Sequence, residues 1–322
     1  MHFLCSALTS PERSPVLRNR RLRWAAIPVA ATLALVLAGC SQAELNGYLP
    51  GFVEGEAPVT NNTERVSGLW TTSWIVLLIV GLITWGLTIW AVVVYRRRKG
   101  QTGLPVQLRY NMPIEIFYTI VPLILVLGFF AFTARDQNAI EARFDEPDVK
   151  IEVIGKQWAW DFNYLGGETE AGQPIEGGAY EQGVQAVDDP AGPQGSIDKD
   201  KLPTLYLPVN TKVELELNTR DTLHSFWVVD FLYKKDLISG KTNYMTFIPE
   251  KEGTYMGKCA ELCGEYHSLM LFQVKVVSQA KYDDYLASLK DQGKVGLLGN
   301  EYDTNTNQPN NEAPAEASSE KK

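Results

Sequence analysis

Two long apolar segments stand out in the first part of the chain. The segment 69–95 holds no charged residue, and the segment 114–134 holds a single one, Glu115. A helix rises about 1.5 Å per residue, so about 20 residues are enough to cross the hydrocarbon core of a bilayer. The pattern therefore predicts two transmembrane helices, at 69–95 and 114–134.

Charges between these segments predict their orientation. The connection 96–113 carries basic residues at positions 96–99 and 109. Short loops rich in Lys and Arg stay on the cytoplasmic side of a membrane. We therefore expect 96–113 to be a cytoplasmic loop, with the segment 40–68 and the residues after 134 on the extracytoplasmic side.

The region 135–290 has a different pattern, made of short runs that alternate apolar and polar residues. Examples are VKIEVI from Val149, KVELELN from Lys212 and HSFWVV from His224. Alternation with a period of two is typical of half-buried strands, and Gly, Pro or Asp separates the runs. Many short strands without intervening helical patterns predict an all-β domain, an antiparallel sandwich or barrel.

Two segments lack this hydrophobic pattern. Residues 165–198 are acidic, contain no basic residue and are rich in Gly and Pro, which predicts a poorly ordered insert between strands. The insert is either a solvated loop or a docking surface. A short amphipathic helix from Gln279 closes the domain, and we expect a disordered tail at 291–322.

The N-terminus has the features of a signal peptide. A basic stretch from Arg18 leads into an apolar run, and the small residues Ala38 and Gly39 precede Cys40. This ending resembles a bacterial lipoprotein signal, so we interpret 1–39 as a leader and Cys40 as a lipidated residue; the alternative is a plain signal anchor. The whole chain has a formal charge of −8, and loss of the basic leader leaves it more acidic, which excludes nucleic-acid binding on charge grounds.

Scarce residue types cluster near the end of the domain. Without the leader and Cys40 the chain keeps two cysteines, Cys259 and Cys263, and two histidines, His224 and His267. With Met270 they form the pattern C-x3-C-x3-H-x2-M, preceded at a distance by His224. Thiolate, thioether and imidazole groups all suit copper.

Two thiolates can bridge two copper ions, each of which then needs one histidine and one weaker axial donor. The chain supplies His224 and His267 as histidines; the axial donors would be Met270 and an oxygen of the loop between the cysteines, such as the backbone carbonyl of Glu261. Two other interpretations stay open. Two cysteines in an exported domain often form a disulfide, and a Cys2His2 zinc site is conceivable, although zinc would leave Met270 without a role.

The chain resembles subunit II of the haem–copper cytochrome c oxidases. The resemblance runs from the first apolar segment to about Val277 and includes C-x-E-x-C-x3-H-x2-M, the H-S-F-W motif and the aromatic run GKQWAWDFNY. It implies a cupredoxin-like all-β extracytoplasmic domain after a two-helix transmembrane hairpin. It also implies a binuclear copper centre, CuA, held by these residues: His224, Cys259, Glu261, Cys263, His267 and Met270.

The same resemblance implies an electron-entry role. CuA accepts electrons from cytochrome c and passes them to haem in subunit I, where oxygen is reduced to water and protons are pumped. Trp158 is the expected point of electron entry, although Ala159 stands where the family commonly has tyrosine. Glu261 is implied in a magnesium or manganese site shared with subunit I, Asp236 in contacting water near that ion, and Glu115 in the entrance of a proton path.

The resemblance further implies partners and a location. The partners are subunits I and III, membrane lipid and a cytochrome c donor. A lipidated chain with two spans and an acidic insert would suit a membrane-bound donor within a respiratory supercomplex, but the sequence leaves the identity of the donor open. The location is the bacterial cell membrane, with a lipid anchor. The catalytic site for oxygen belongs to another subunit, because this chain has no haem motif.

Three rival functions make different predictions. A fragment of nitrous oxide reductase would come from a histidine-rich protein, and a quinol-oxidase subunit would lack copper ligands. A membrane-tethered copper chaperone or thiol oxidoreductase would use Cys259 and Cys263 within a thioredoxin-like alternation of strands and helices. The strand series and the hairpin argue against the last class.

Overall fold

The computed structural model describes residues 57–104, 107–166 and 178–299. The predicted signal peptide at 1–39 and the lipidation of Cys40 lie outside the described residues. The same holds for residues 167–177 of the insert and 300–322 of the tail.

Two long apolar helices come first, α1 (Thr63–Val94) and α2 (Met112–Glu141). Both are long and apolar enough to cross a membrane. Their mid-helix side chains point outward, and Trp85 and Phe130 are 67% and 69% exposed. Each helix also extends beyond its apolar run at the end nearer the β domain, where Arg65 of α1 contacts the buried Asp136 of α2 at 3.1 Å. A polar contact therefore joins the two helices beyond their apolar segments.

In the described residues, ten strands and a short α-helix follow. They are β1 (Val149–Lys156), β2 (Ala159–Tyr164), β3 (Ala179–Glu181), β4 (Thr204–Pro208), β5 (Val213–Thr219), β6 (His224–Val228), β7 (Tyr233–Leu237), β8 (Asn243–Phe247), β9 (Gly253–Cys259), β10 (Leu271–Val277) and α3 (Gln279–Asp291). One sheet has the order β3-β2-β1-β5-β8 and the other β4-β10-β9-β6-β7. The predicted architecture, an all-β domain after a two-helix hairpin, is confirmed, and the strands do not alternate with helices as a thioredoxin-like fold requires.

The prediction of an antiparallel sandwich or barrel is wrong about the direction of two strand pairs. β1 pairs with β5, and β10 pairs with β4, in parallel. A parallel pair needs a long crossover connection, and in both cases the chain passes through other strands before it returns. Alternation along a single strand carries no information about the direction of its neighbour.

The core lies between the two sheets. Alternate residues of β1 and β5 point inward and meet large aromatic side chains of the second sheet. Fully buried examples are Ile151, Val153, Leu215, Leu217, Phe226 and Phe272. Burying one such side chain stabilises the fold by about 1.5–3 kcal/mol relative to exposure. The strand ends that carry the cysteines and histidines are therefore attached to a rigid support.

The acidic insert is more ordered than predicted. Within the described part, 178–198, β3 pairs with β2, and Ala179, Gly183 and Ala186 are buried. Small residues let the backbone of this segment approach the sheet closely enough to form hydrogen bonds. The composition, acidic and rich in glycine, did not reveal those contacts.

The predicted disordered tail at 291–322 is wrong for its first part. Residue 291 ends α3, and residues 292–299 continue along β2, where Leu298 is buried. The backbone N–H of Leu298 donates to Asn163 Oδ1 at 2.9 Å, and Asn163 Nδ2 donates to the Leu298 carbonyl at 3.1 Å. Reciprocal hydrogen bonds with a buried asparagine hold a segment whose composition looks disordered.

The hairpin is fastened to one side of the sandwich. The backbone N–H of Asn61 donates to the Ile248 carbonyl at 3.1 Å, and Asn61 Oδ1 accepts from the Ile248 N–H at 2.8 Å. After α2, Arg143 donates to both carboxylate oxygens of Glu214, at 2.9 and 2.8 Å. These contacts lie at β5 and β8, whereas the cysteines lie on and after β9 in the other sheet.

Candidate metal centre

Two neighbouring strands place the first pair of donor groups. β6 begins at His224 and β9 ends at Cys259, and the two strands are antiparallel neighbours, with Phe226 opposite Cys259. Antiparallel pairing brings the start of one strand to the end of the other. His224 Nδ1 consequently lies 3.8 Å from Cys259 Sγ, although the residues are 35 apart in the chain.

The loop from β9 to β10 supplies the remaining donors. It passes through Cys263 and a turn of 3-10 helix, His267–Leu269, before β10 begins at Leu271. Cys263 Sγ lies 3.5 Å from His267 Nδ1 and 3.7 Å from Met270 Sδ. The Cys259 thiol donates to the Glu261 carbonyl at 3.1 Å. One short loop therefore brings all the local candidates together.

The cluster is compact, and most of its side chains are buried. Ligand atoms of His224, Cys259 and Cys263 lie within 4.8 Å of one another. Both cysteines are free thiols and only 4% and 3% exposed, while His224 and Met270 are fully buried. The disulfide interpretation is not realised in this structure, and converging thiol, imidazole and thioether groups are the donor set that a soft metal ion takes.

Asp221 fixes the orientation of His224. Its Oδ1 lies 2.7 Å from His224 Nε2, and its carboxylate also accepts the backbone N–H groups of Gln157 and Thr222, both at 2.7 Å. Burial by itself would raise the pKa of Asp221, but the hydrogen bonds from His224 and from these two amides outweigh it and lower the pKa. An ionised carboxylate only accepts, so Nε2 carries a proton, and Nδ1, on the Cys259 side, is the nitrogen left available to a metal ion.

The role of Asp221 in orienting His224 was not predicted from the sequence. The signal that could have found it is the spacing D-x-x-H at 221–224, an acidic residue one tight turn before a candidate ligand. Histidines that bind metal commonly donate their second ring N–H to a carboxylate.

The two thiols differ in acidity. Burial would raise the pKa of Cys259, but hydrogen bonds with His224 and with the backbone at Ser225 and Glu261 outweigh it, so the pKa is lowered. Burial and the charge of Cys259 raise the pKa of Cys263 to about 12. Two adjacent thiolates are therefore unfavourable without a cation between them, and a metal ion supplies that positive charge.

Trp158 connects the loop to the surface. Its indole Nε1 donates to the Cys263 carbonyl at 3.2 Å, and Gln157 Nε2 donates to the same oxygen at 2.8 Å. The ring of Trp158 is partly exposed and meets Tyr266 edge-on, with ring centroids 4.9 Å apart. Gly264 has a φ of +123° and lies against Trp158, where a Cβ would be 3.2 Å from the indole.

The other candidates lie in different surroundings. Glu115 is in the first turn of α2, where its Oε1 accepts the Asn111 N–H at 3.0 Å. Asp236 lies on β7 opposite Ser225, and its side chain is partly exposed. The Glu261 carbonyl is within the cluster, and this residue is also partly exposed. The fold therefore brings the six candidate copper ligands together and leaves Glu115 on the hairpin.

Comparisons with known proteins identify the family of this chain. Residues 149–277 match the family described as cytochrome C oxidase subunit II, periplasmic domain. The probable cytochrome c oxidase subunit 2 of Streptomyces avermitilis is 42% identical over 261 residues, covering 75% of this chain and 80% of that protein. The cytochrome c oxidase subunit 2 of Corynebacterium glutamicum is 31% identical over 290 residues, covering 79% of this chain and 81% of that protein.

Among solved structures, the periplasmic domain of subunit II of cytochrome oxidase (CoxB) of Bradyrhizobium japonicum is 24% identical. It has a TM-score of 0.37 and covers 46% of this chain and 96% of that domain. Family membership rests on the sequence relatives. The identity to these relatives extends over most of both chains, and so the chain belongs to the cytochrome c oxidase subunit II family, as a membrane protein with an extracytoplasmic domain.

Proposed function

We propose that this subunit is the point where electrons enter a terminal oxidase. It would accept electrons from cytochrome c at a CuA centre and pass them to haem of subunit I, where oxygen is reduced to water with proton translocation. The observation that carries the proposal is the convergence of two free, buried thiols with two histidine Nδ1 atoms and a thioether.

The donor set fits copper better than zinc. Side chains of His224, Cys259, Cys263, His267 and Met270, with the carbonyl of Glu261, would hold two copper ions. A structural zinc site uses Cys, His and carboxylate ligands and would leave the Met270 thioether unused. When bound, a copper pair would supply a carrier for single electrons.

The protein holds the donor atoms in fixed positions and shields most of them from water. The donor atoms project from the ends of packed strands and from a short loop, and Asp221 holds the ring of His224 in one orientation. Burial of both thiols and of Met270 excludes water. Ligands that keep their positions when the charge changes make electron transfer fast at a small driving force.

Trp158 is the proposed entry residue. Its ring is partly exposed, while its indole N–H donates to the carbonyl of Cys263, one of the proposed copper ligands. This hydrogen bond is a short route from the surface to the ligand loop. Tyr266, packed edge-on against Trp158, adds a second aromatic ring at the same surface.

The remaining roles extend the proposal to the assembled oxidase. The Glu261 carboxylate would bind a magnesium or manganese ion shared with subunit I, and Asp236 would contact water near that ion. Glu115 would lie at the entrance of a proton path, and Cys40 would carry lipid in the bacterial cell membrane. The proposed partners are subunits I and III and a membrane-bound cytochrome c donor.

The test uses the full-length chain, purified in detergent under reducing conditions and supplied with copper. We expect a purple protein with two copper ions per chain and a paramagnetic signal from an electron shared equally between two copper nuclei. Met270→Leu should change that signal, whereas Met256→Leu, on β9, should not. A colourless chain with a Cys259–Cys263 disulfide would contradict the proposal and favour a thiol oxidoreductase.

A further inference from the structure

The ordered part of the acidic insert reaches the turn that precedes Met270. We call the segment 179–186 the arm. β3 in the arm pairs with β2, and the backbone N–H of Ala186 donates to the Leu269 carbonyl at 3.1 Å. Leu269 ends the 3-10 turn that carries His267, and Met270 follows directly. The arm is therefore hydrogen-bonded to the backbone between two candidate ligands.

A second route joins the arm to Met270 through β2. A Cβ added to Gly183 would lie 2.0 Å from the carbonyl oxygen of Trp160, so the backbones of arm and strand are in direct contact. The indole Nε1 of Trp160 in turn donates to the Met270 carbonyl at 3.2 Å. Only glycine permits so close an approach at position 183.

A buried ion cluster holds the middle of the arm. The N–H of Gly183 donates to Asp161 Oδ1 at 3.0 Å. Asp161 is fully buried, and its carboxylate contacts Lys156 at 2.7 Å and Arg220 at 3.4 Å. A carboxylate held by two cations is a fixed acceptor, so the arm has little freedom to move away from the sheet.

We infer that the arm is a positioning element for Met270, which it holds against Cys263 through Leu269 and Trp160. The inference rests on the proposed function, in which Met270 is an axial copper donor. The insert then has a role inside the protein that is separate from any contact with a partner.

The first test uses the metal-free, full-length chain. Ala186→Pro removes the N–H that binds Leu269, and Gly183→Ala forces the arm away from Trp160. Hydrogen exchange at the amides of Cys259 and Met270, which lie in this network, should become about tenfold faster in both variants. Exchange at the wild-type rate in both variants would overturn the inference.

Matched controls lie within the arm, at Val184, and directly after it, at Val187. Val184 and Val187 are exposed, at 58% and 42%, so Val184→Ala and Val187→Ala change the surface of this region without touching the contacts described above. Both control variants should exchange at the wild-type rate. Equal acceleration in the controls would mean that any change in this segment loosens the domain, which would also overturn the inference.

The second test uses the copper-loaded chain and separates this inference from the proposed function. Ala186→Pro and Gly183→Ala should change the visible spectrum and copper hyperfine pattern, while the controls keep the wild-type spectra. Failure of the wild-type chain to bind copper would contradict the proposed function. Wild-type spectra in variants that are merely less stable would show that the arm does not position Met270.

A third measurement needs no variant and applies even where a substitution prevents folding. In wild-type protein at increasing denaturant, amides of 179–186 and 267–272 should open with the same free energy, as one cooperative unit. Independent opening of the two segments would contradict a positioning role for the arm.

Discussion

His224 has two ring nitrogens, and the fold gives them different partners. Nε2 faces Asp221 at 2.7 Å, and Nδ1 faces the Cys259 sulfur at 3.8 Å. The backbone amides of Gln157 and Thr222 keep Asp221 ionised and in place. At the scale of single residues, a carboxylate outside the ligand set therefore decides which nitrogen is available to a metal.

Asp221→Asn should weaken copper binding by about 10–100-fold, because an amide neither carries the charge nor enforces one imidazole tautomer. Competition between the reduced full-length chain and a copper chelator of known affinity measures the change. Asp145→Asn, at an exposed carboxylate, is the matched control and should bind as the wild type does. Equal affinity in Asp221→Asn would mean that His224 needs no orienting partner.

A second prediction concerns charge on the first sheet. Partial burial, followed by repulsion from Glu152 and Glu214, raises the pKa of Glu216 on β5. A carboxyl with a raised folded-state pKa stabilises the fold below its unfolded pKa, and that contribution is lost as the pH rises through the folded pKa. At neutral pH the charged form of Glu216 therefore reduces the free energy of unfolding.

Glu216→Gln should raise the free energy of unfolding at pH 7 by on the order of 0.5 kcal/mol, a small value because solvent screens a side chain that is partly exposed. The gain should vanish in acid, below about pH 4, where the wild-type carboxyl is protonated in both states. Chemical denaturation at the two pH values checks this, with Glu252→Gln at an exposed position as control. A gain that persists in acid would point to packing as the cause.

At the scale of elements, a bidentate ion pair is one of the contacts that join the hairpin to the sandwich. Arg143, just after α2, binds both oxygens of Glu214 on β5 and lies 3.5 Å from the ring centroid of Tyr244 on β8. Glu214 is 1% exposed, so its carboxylate depends on this partner. The hairpin is thus attached to a strand that also crosses the core.

Arg143→Met should lower the free energy of unfolding by about 2 kcal/mol, because it leaves a buried carboxylate without its charged donor. Adding Glu214→Gln to that variant should restore part of the loss, since the unpaired charge is removed. Denaturant unfolding of the two single variants and the double variant measures the coupling. Simple addition of the two single effects would show that the residues act independently.

At the scale of the whole molecule, apolar helices and a compact sandwich make the chain a membrane protein with its β domain outside the cytoplasm. The basic residues of the connection between α1 and α2 predict that it faces the cytoplasm. Both helices expose apolar side chains along their length, and those surfaces suit lipid or other membrane subunits.

Single cysteines test this orientation. In intact spheroplasts a membrane-impermeant maleimide should label Glu252→Cys in the β domain, and it should label Thr102→Cys only after the membrane is permeabilised. Both positions are exposed. The chain without an added cysteine gives the background from native thiols. Labelling of Thr102→Cys in intact spheroplasts would place the connection outside the cytoplasm.

The sequence by itself determined the two apolar helices, most of the strands and the donor set at 224 and 259–270. These features are local: an apolar run, an alternating run or a cluster of scarce residue types is visible within one window of the chain. β7 was missed because its lysines and aspartate hide the alternation of an edge strand.

Only the tertiary structure decided which distant segments meet. It made two strand pairs parallel, ordered the arm and residues 291–299, and placed Asp221 behind His224. Each of these depends on hydrogen bonds between residues far apart in the chain or on a turn whose geometry composition does not specify. The close contact between the backbones of Gly183 and Trp160 depends on two segments that are distant in the chain. The sequence of one segment does not show which other segment it will contact.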